Sequence, residues 1–195
     1  WVTCLASTTF EEKNKAEVSS SGSPDLQTVF FPQANFDNQP YLISGGLDFE
    51  IKVWNPFTSD EELFSLTGHY QLITCIKTFK FYPELIVSCA RDKNIKFWDL
   101  NEKKCIMTKF EHKDWISCLE VFHLKNTIVS CGNDKTIIVW KLIFNTSNKL
   151  QRCVLKHSIP NAHNGPISSL AITEGEKYFL SAGNDGVIKM WDPDL

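Results

Sequence analysis

Four stretches of this chain share one spacing: "YLISGGLDFEIKVWNP", "LIVSCARDKNIKFWDL", "TIVSCGNDKTIIVWKL" and "YFLSAGNDGVIKMWDP". In each, an aspartate stands four residues after a serine and a tryptophan six residues after the aspartate. The sets are Ser44, Asp48, Trp54; Ser88, Asp92, Trp98; Ser130, Asp134, Trp140; and Ser181, Asp185, Trp191. Successive tryptophans lie 44, 42 and 51 residues apart. His69, His112 and His163 precede the last three aspartates by 23, 22 and 22 residues. A pattern used four times in 195 residues is architecture before it is chemistry, and a period near 42 marks a stack of supersecondary units.

The segments between these landmarks are short and β-rich. "ITCIKTF", "LIVSC", "NIKFW" and "CIMTKF" are runs of five to seven residues bounded by turn or charged residues. No apolar stripe of helical period extends over three turns. Four such strands per unit predict an all-β fold, a β-propeller of four-stranded antiparallel blades with four blades visible.

With its GH dipeptide at Gly68-His69, an Asp in each tight turn and a terminal Trp-Asp at Trp98-Asp99 and Trp191-Asp192, the chain resembles the WD-repeat propeller family. It departs from the family pattern at Trp54-Asn55 and Trp140-Lys141, and His69 alone has its Gly. The resemblance implies a hydrogen-bonded tetrad of His, Ser, Asp and Trp in each blade: His69/Ser88/Asp92/Trp98, His112/Ser130/Asp134/Trp140 and His163/Ser181/Asp185/Trp191. Blade one supplies Ser44, Asp48 and Trp54, and its His is expected to lie before residue 1. A complete network of this kind satisfies buried polar groups and stiffens its blade. Ser, His and Asp also make up a hydrolase triad. Three copies of one triad in a single chain favour the structural role, so we expect no catalytic residues and no enzyme.

The blades are expected at 1–67, with a loop insertion at 8–40, then 68–110, 111–161 and 162–195, the last lacking its outer strand. "WVTC" matches "LITC" and "WISC", which places Trp1 in register with Trp115. Most WD-repeat propellers have seven blades, so the resemblance implies that 1–195 is a propeller or part of a larger one. The 8–40 segment holds two lysines and five acids. It contains the loop-forming "SSSGSP", a Ser23-Pro24 suited to proline-directed phosphorylation, and a "TVFF" able to pack back on the propeller or meet a partner.

Twenty bases against twenty-three acids leave a net charge of −3, which argues against nucleic-acid or anionic-membrane binding. No apolar run is long enough to span a bilayer, and "WVTCLASTTF" lacks the features of a signal peptide. Seven cysteines occur without a CxxC pair. Cys4, Cys75 and Cys118 share one repeat position and Cys89 and Cys131 another, as small buried hydrophobes would. Neither metal nor cofactor ligands are expected. A cytoplasmic or nuclear location fits, and the sequon at Asn145 then has no use.

The resemblance also implies a top face built by the His-containing links and the Asp-containing turns. Its ring positions are Trp1, Thr3 and Leu47; Leu72, Thr74 and Arg91; Trp115, Ser117 and Asn133; Pro166, Ser168 and Asn184. Trp and Arg are enriched among binding hot spots, which singles out Trp115 and Arg91. The chain's two arginines, Arg91 and Arg152, put only Arg91 on this ring, too few for a phosphate pocket. The expected function is a noncatalytic scaffold or adaptor that gathers proteins or peptides, with no small-molecule substrate. The alternative is a regulatory or substrate-recruiting module of a larger enzyme, such as a ubiquitin ligase or kinase.

Overall fold

The computed structural model describes residues 26–30, 41–55 and 61–194. Over these the chain forms fifteen strands in four antiparallel sheets, and its one helical element is a 3-10 turn at Glu174–Glu176. The first sheet runs β1 (Leu26–Phe30), β2 (Leu42–Gly46), β3 (Ile51–Trp54) and β4 (Glu62–Leu66). The second runs β5 (Ile73–Phe79), β6 (Tyr82–Ala90), β7 (Ile95–Asp99) and β8 (Lys104–Lys109). The third runs β9 (Ile116–Phe122), β10 (Thr127–Gly132), β11 (Ile137–Phe144) and β12 (Leu150–Ile159). The fourth has three strands, β13 (Ile167–Ile172), β14 (Phe179–Gly183) and β15 (Ile188–Trp191). Each sheet is a meander in sequence order, and successive sheets stack as propeller blades.

Residue type explains which strands lie deepest. β6, β7 and β10 are buried along most or all of their length. A blade has neighbours on both faces, so its middle strands read as unbroken apolar runs, not as an alternation. Ile43, Ile51 and Val53 of the first blade share a core with Ile73, Ile76, Ile86 and Trp98 of the second. A larger core joins the second, third and fourth blades through Phe97, Leu119, Trp140, Ile167 and Phe179 among others. Trp98 of the second blade thus packs toward the first.

The fourth blade breaks the pattern on its other face. Ile188 and Met190 are 71% and 63% exposed, whereas their counterparts Ile137 and Val139 in the third blade are at most 1% exposed. The third blade's residues are covered by the fourth. Among the described residues no blade covers the fourth in turn.

The first blade corrects one expectation. Leu26–Phe30 lies inside the segment expected as an insertion at 8–40, yet pairs along β2, with Leu26 opposite Gly46 and Phe30 opposite Leu42. Leu26 thereby takes the place that Ile116 takes opposite Gly132 in the third blade. The inner strand is therefore "LQTVF", not the stretch after Trp1. Trp1, Thr3, Cys4 and Ser23-Pro24 lie outside the described residues.

Candidate interaction face

The serine-to-tryptophan spacing follows from the hairpin that joins the second and third strands of each blade. Trp98 stands opposite Ile86, two residues from Ser88, and Trp140 stands opposite Ile128, two residues from Ser130. Residues two apart on a strand share a face, so the indole reaches the hydroxyl diagonally. Trp Nε1–H donates to Ser Oγ at 2.9 Å in the first blade, 2.8 Å in the second, 3.0 Å in the third and 2.8 Å in the fourth.

The histidines complete three networks. His69 Nε2 lies 2.8 Å from Ser88 Oγ, and its Nδ1 lies 2.7 Å from Asp92 Oδ2. The same contacts are 2.8 and 2.8 Å for His112 with Ser130 and Asp134. They are 2.7 and 3.0 Å for His163 with Ser181 and Asp185. Donor accounting orders each chain. An indole N–H only donates, so the serine oxygen accepts it and its own O–H donates to Nε2. The imidazole then carries its proton on Nδ1 and donates to the carboxylate.

Each carboxylate also holds two backbone amides. Asp92 accepts from Tyr70 N and Asn94 N, Asp134 from Lys113 N and Thr136 N, and Asp185 from Asn164 N and Val187 N. Burial raises the Asp92 and Asp134 carboxyls, but the hydrogen bonds from histidine and backbone outweigh it and leave both below the ordinary value. For Asp185 the Asn164 amide is the largest influence, and the carboxyl falls to about 2. In the first blade Asp48 accepts from Glu50 N at 3.4 Å and lies 3.6 Å from Lys52, and no histidine joins it among the described residues.

The contacts among His, Ser and Asp are those of a hydrolase triad, but their setting gives them no substrate. Ser88 and Ser130 are fully buried and Ser181 nearly so, and each oxygen already accepts an indole N–H. A nucleophile needs an open approach and donors aimed at a developing oxyanion. What the network does provide is a rigid attachment of the His link to the Asp turn, and these two loops form one face of the stack.

Several residues expected on that face do not present their side chains there. Leu72 is 6% exposed and Thr74 7%. A bulge at Thr74 takes it out of register, and its Oγ1 donates across the blade boundary to Ile116 O at 2.6 Å. Ser117 makes the same bond to Ile167 O. Ser168, with no next blade beside it among the described residues, bonds Ala182 O within its own blade. Leu72, Trp115 and Pro166 instead use their carbonyls, which accept from Arg91 N, Asn133 N and Asn184 N. In the third blade a Cβ on Gly132 would press on the Trp115 carbonyl oxygen. Asn133 and Pro166 are half-buried, and Leu47 and Asn184 are exposed.

Arg91 and Trp115 meet across the boundary between the second and third blades. The guanidinium sits 4.6 Å from the centre of the Trp115 ring, and Trp115 remains 41% exposed. Other members of the face escaped the sequence reading. Tyr70 directly follows the first His and is 74% exposed. Phe49, Lys93 and Lys135 each follow the turn aspartate with φ of 67°, 69° and 62°, a left-handed conformation disfavoured for such side chains. The recurring "DK" of "RDKN" and "NDKT" was the available signal for the two lysines.

Taken together, blades of this topology held by repeated tetrads define a repeat propeller. The model of the WD domain, G-beta repeat, matches residues 60–99, 103–141 and 153–192, and the chain belongs to that family. It is 25% identical over 175 residues to the nuclear distribution protein PAC1 of Arthroderma otae, covering 77% of this chain and 37% of that protein. It is 21% identical over 163 residues to the nuclear distribution protein nudF of Aspergillus niger, with the same shares covered. It is 26% identical over 170 residues to the mitochondrial division protein 1 of Eremothecium gossypii, covering 76% of this chain and 23% of that protein. The chain thus spans well under half the length of these relatives. Among the described residues no helix is long and apolar enough to cross a membrane.

Proposed function

We propose that this chain is a noncatalytic scaffold or adaptor that gathers other proteins on the face formed by its His links and Asp turns. The observation that carries this reading is the Arg91–Trp115 pair, whose indole is exposed on a face whose tetrads are internally satisfied. The tetrads hold the loops; the residues between them are free to bind. Relatives named for nuclear distribution and for mitochondrial division share the repeats, which supports a common frame serving different assemblies. The reading places the chain in the cytoplasm or nucleus, where buried cysteines such as Cys75, Cys89, Cys118 and Cys131 serve as small apolar side chains. The uncovered Ile188–Met190 face supports a place within a larger ring.

Photo-crosslinking in cells tests the reading. A photoreactive residue at Tyr70 is compared with one at Leu124, which is 70% exposed on the opposite face. We expect discrete protein adducts from position 70 and none shared with position 124. Adducts from position 124 alone, or from neither, would sink the proposal.

A further inference from the structure

We propose that Asn164–Gly165, in the His link of the fourth blade, is a site of spontaneous deamidation, and that the isoaspartate formed there loosens the fourth tetrad. The reaction needs an asparagine side chain free to turn and a following backbone nitrogen free to attack it. Asn164 is exposed, and its side-chain amide makes no hydrogen bond with any described residue. The Gly165 nitrogen makes none either, and glycine has no Cβ to obstruct the approach. Gln71 and Asp114 hold the same place in the second and third blades, after Tyr70 and Lys113. The fold therefore does not demand a glycine here, and the Asn-Gly pair is particular to the fourth link.

Neighbouring candidates are blocked by their own hydrogen bonds. Asn161, in the same link and also exposed, is followed by Ala162, whose nitrogen donates to Lys135 O at 2.9 Å. Asn148 is followed by Lys149, whose nitrogen donates to Asn145 Oδ1 at 2.9 Å. Asp185–Gly186 is a pair of similar kind, but the Gly186 nitrogen donates to Gly183 O at 3.1 Å. The Asp185 carboxyl, lowered to about 2, is also ionised at neutral pH, and an anion resists attack.

At Asn164 the Gly165 nitrogen bonds to Cγ, its proton passes through water to the departing amide nitrogen, and ammonia leaves. Water then opens the succinimide ring. Opening at Cγ gives aspartate; opening at the main-chain carbonyl gives isoaspartate, whose backbone runs through the former side chain. The net change is amide plus water to carboxylate plus ammonium, with no oxidation. The link is anchored on both sides of the altered unit: Asn164 N donates to Asp185 Oδ2 at 2.9 Å, and Pro166 O accepts from Asn184 N at 2.8 Å. Isoaspartate adds a backbone carbon between these anchors and changes their spacing. It also sets a second carboxylate beside Asp185.

The test incubates the full chain at mildly alkaline pH. Peptide mapping follows the gain of about 1 Da at each asparagine, and an isoaspartyl methyltransferase with labelled S-adenosylmethionine counts the isoaspartate. We expect Asn164 to convert first, faster as pH rises, with isoaspartate the larger share. Gly165→Gln, which copies the second blade, should slow conversion at least about tenfold by crowding the attacking nitrogen. Thermal unfolding checks that this variant keeps its fold, and the comparison of Asn164 with Asn161 in the native chain stands without it. The modified form, more acidic by one charge, is then separated by anion exchange. Its Asn184 and Val187 amides should exchange at least about tenfold faster than in the intact chain, while those of Lys113 and Asn133 in the third blade stay unchanged. Conversion of Asn161 as fast as Asn164, or conversion unslowed by Gly165→Gln, would overturn the site. Unchanged exchange at Asn184 and Val187 would overturn its effect on the tetrad.

Discussion

The third and fourth blades carry the same four residues with nearly the same hydrogen bonds, yet they are not equally secure. Trp140 and Trp191 each donate to a serine, and His112 and His163 each join serine to aspartate. Trp140 is fully buried and Trp191 only half-buried. Val139 is covered by the next blade, while Met190 is 63% exposed. The network is therefore a property of the single repeat, and burial is a property of the neighbour. Repeat folds divide their stability in this way, into an intrinsic part and an interface part.

Substitutions can break or sharpen that contrast. The largest effect is expected at the indoles. Trp140→Ala should cost about 3–5 kcal/mol in denaturant unfolding, and Trp191→Ala about half as much, because less packing is lost. Equal costs would mean that the fuller cover over Trp140 adds nothing. Next comes the serine. Ser130→Ala strands a buried imidazole nitrogen and an indole N–H, at about 2 kcal/mol, whereas Ser44→Ala strands only the Trp54 indole and should cost less than about 1 kcal/mol. A smaller effect isolates the interface. Thr74→Val removes the bond to Ile116 O and should cost about 1 kcal/mol, while Ser168→Ala, whose bond stays inside its blade, should cost close to zero.

The last effect is silent at neutral pH. Asp185 has its carboxyl lowered from the ordinary 3.8 to about 2, so its contribution to stability is complete above about pH 4 and is lost as pH falls toward 2. Amide exchange at Asn164 and Val187, the backbone donors to this carboxylate, should lose protection in that window. Protection lost already above pH 5 would contradict the assignment.

The sequence shows the tetrads because every member sits at a fixed place in a repeated hairpin, and alternation along a strand turns spacing into contact. It does not show which blade is covered, since Ile188 and Met190 read like the buried Ile137 and Val139. The first inner strand was misplaced because "WVTC" resembles "WISC" over four residues, while the actual strand, "LQTVF", carries no landmark. Leu72 and Thr74 were expected to face partners, but a bulge one residue long turns the Thr74 hydroxyl into the blade boundary. Arg91 and Trp115 were each legible as members of the face. Their contact was not, because it joins loops of two different blades.

Blade-resolved hydrogen exchange on the native chain tests the central claim most directly. If neighbours set the security of otherwise equivalent blades, β7 and β11 will exchange slowly and together, and β15 will exchange fastest of the third strands. If β15 proves as protected as β11, the stability lies in the tetrads alone, and the account of covered and uncovered blades is wrong.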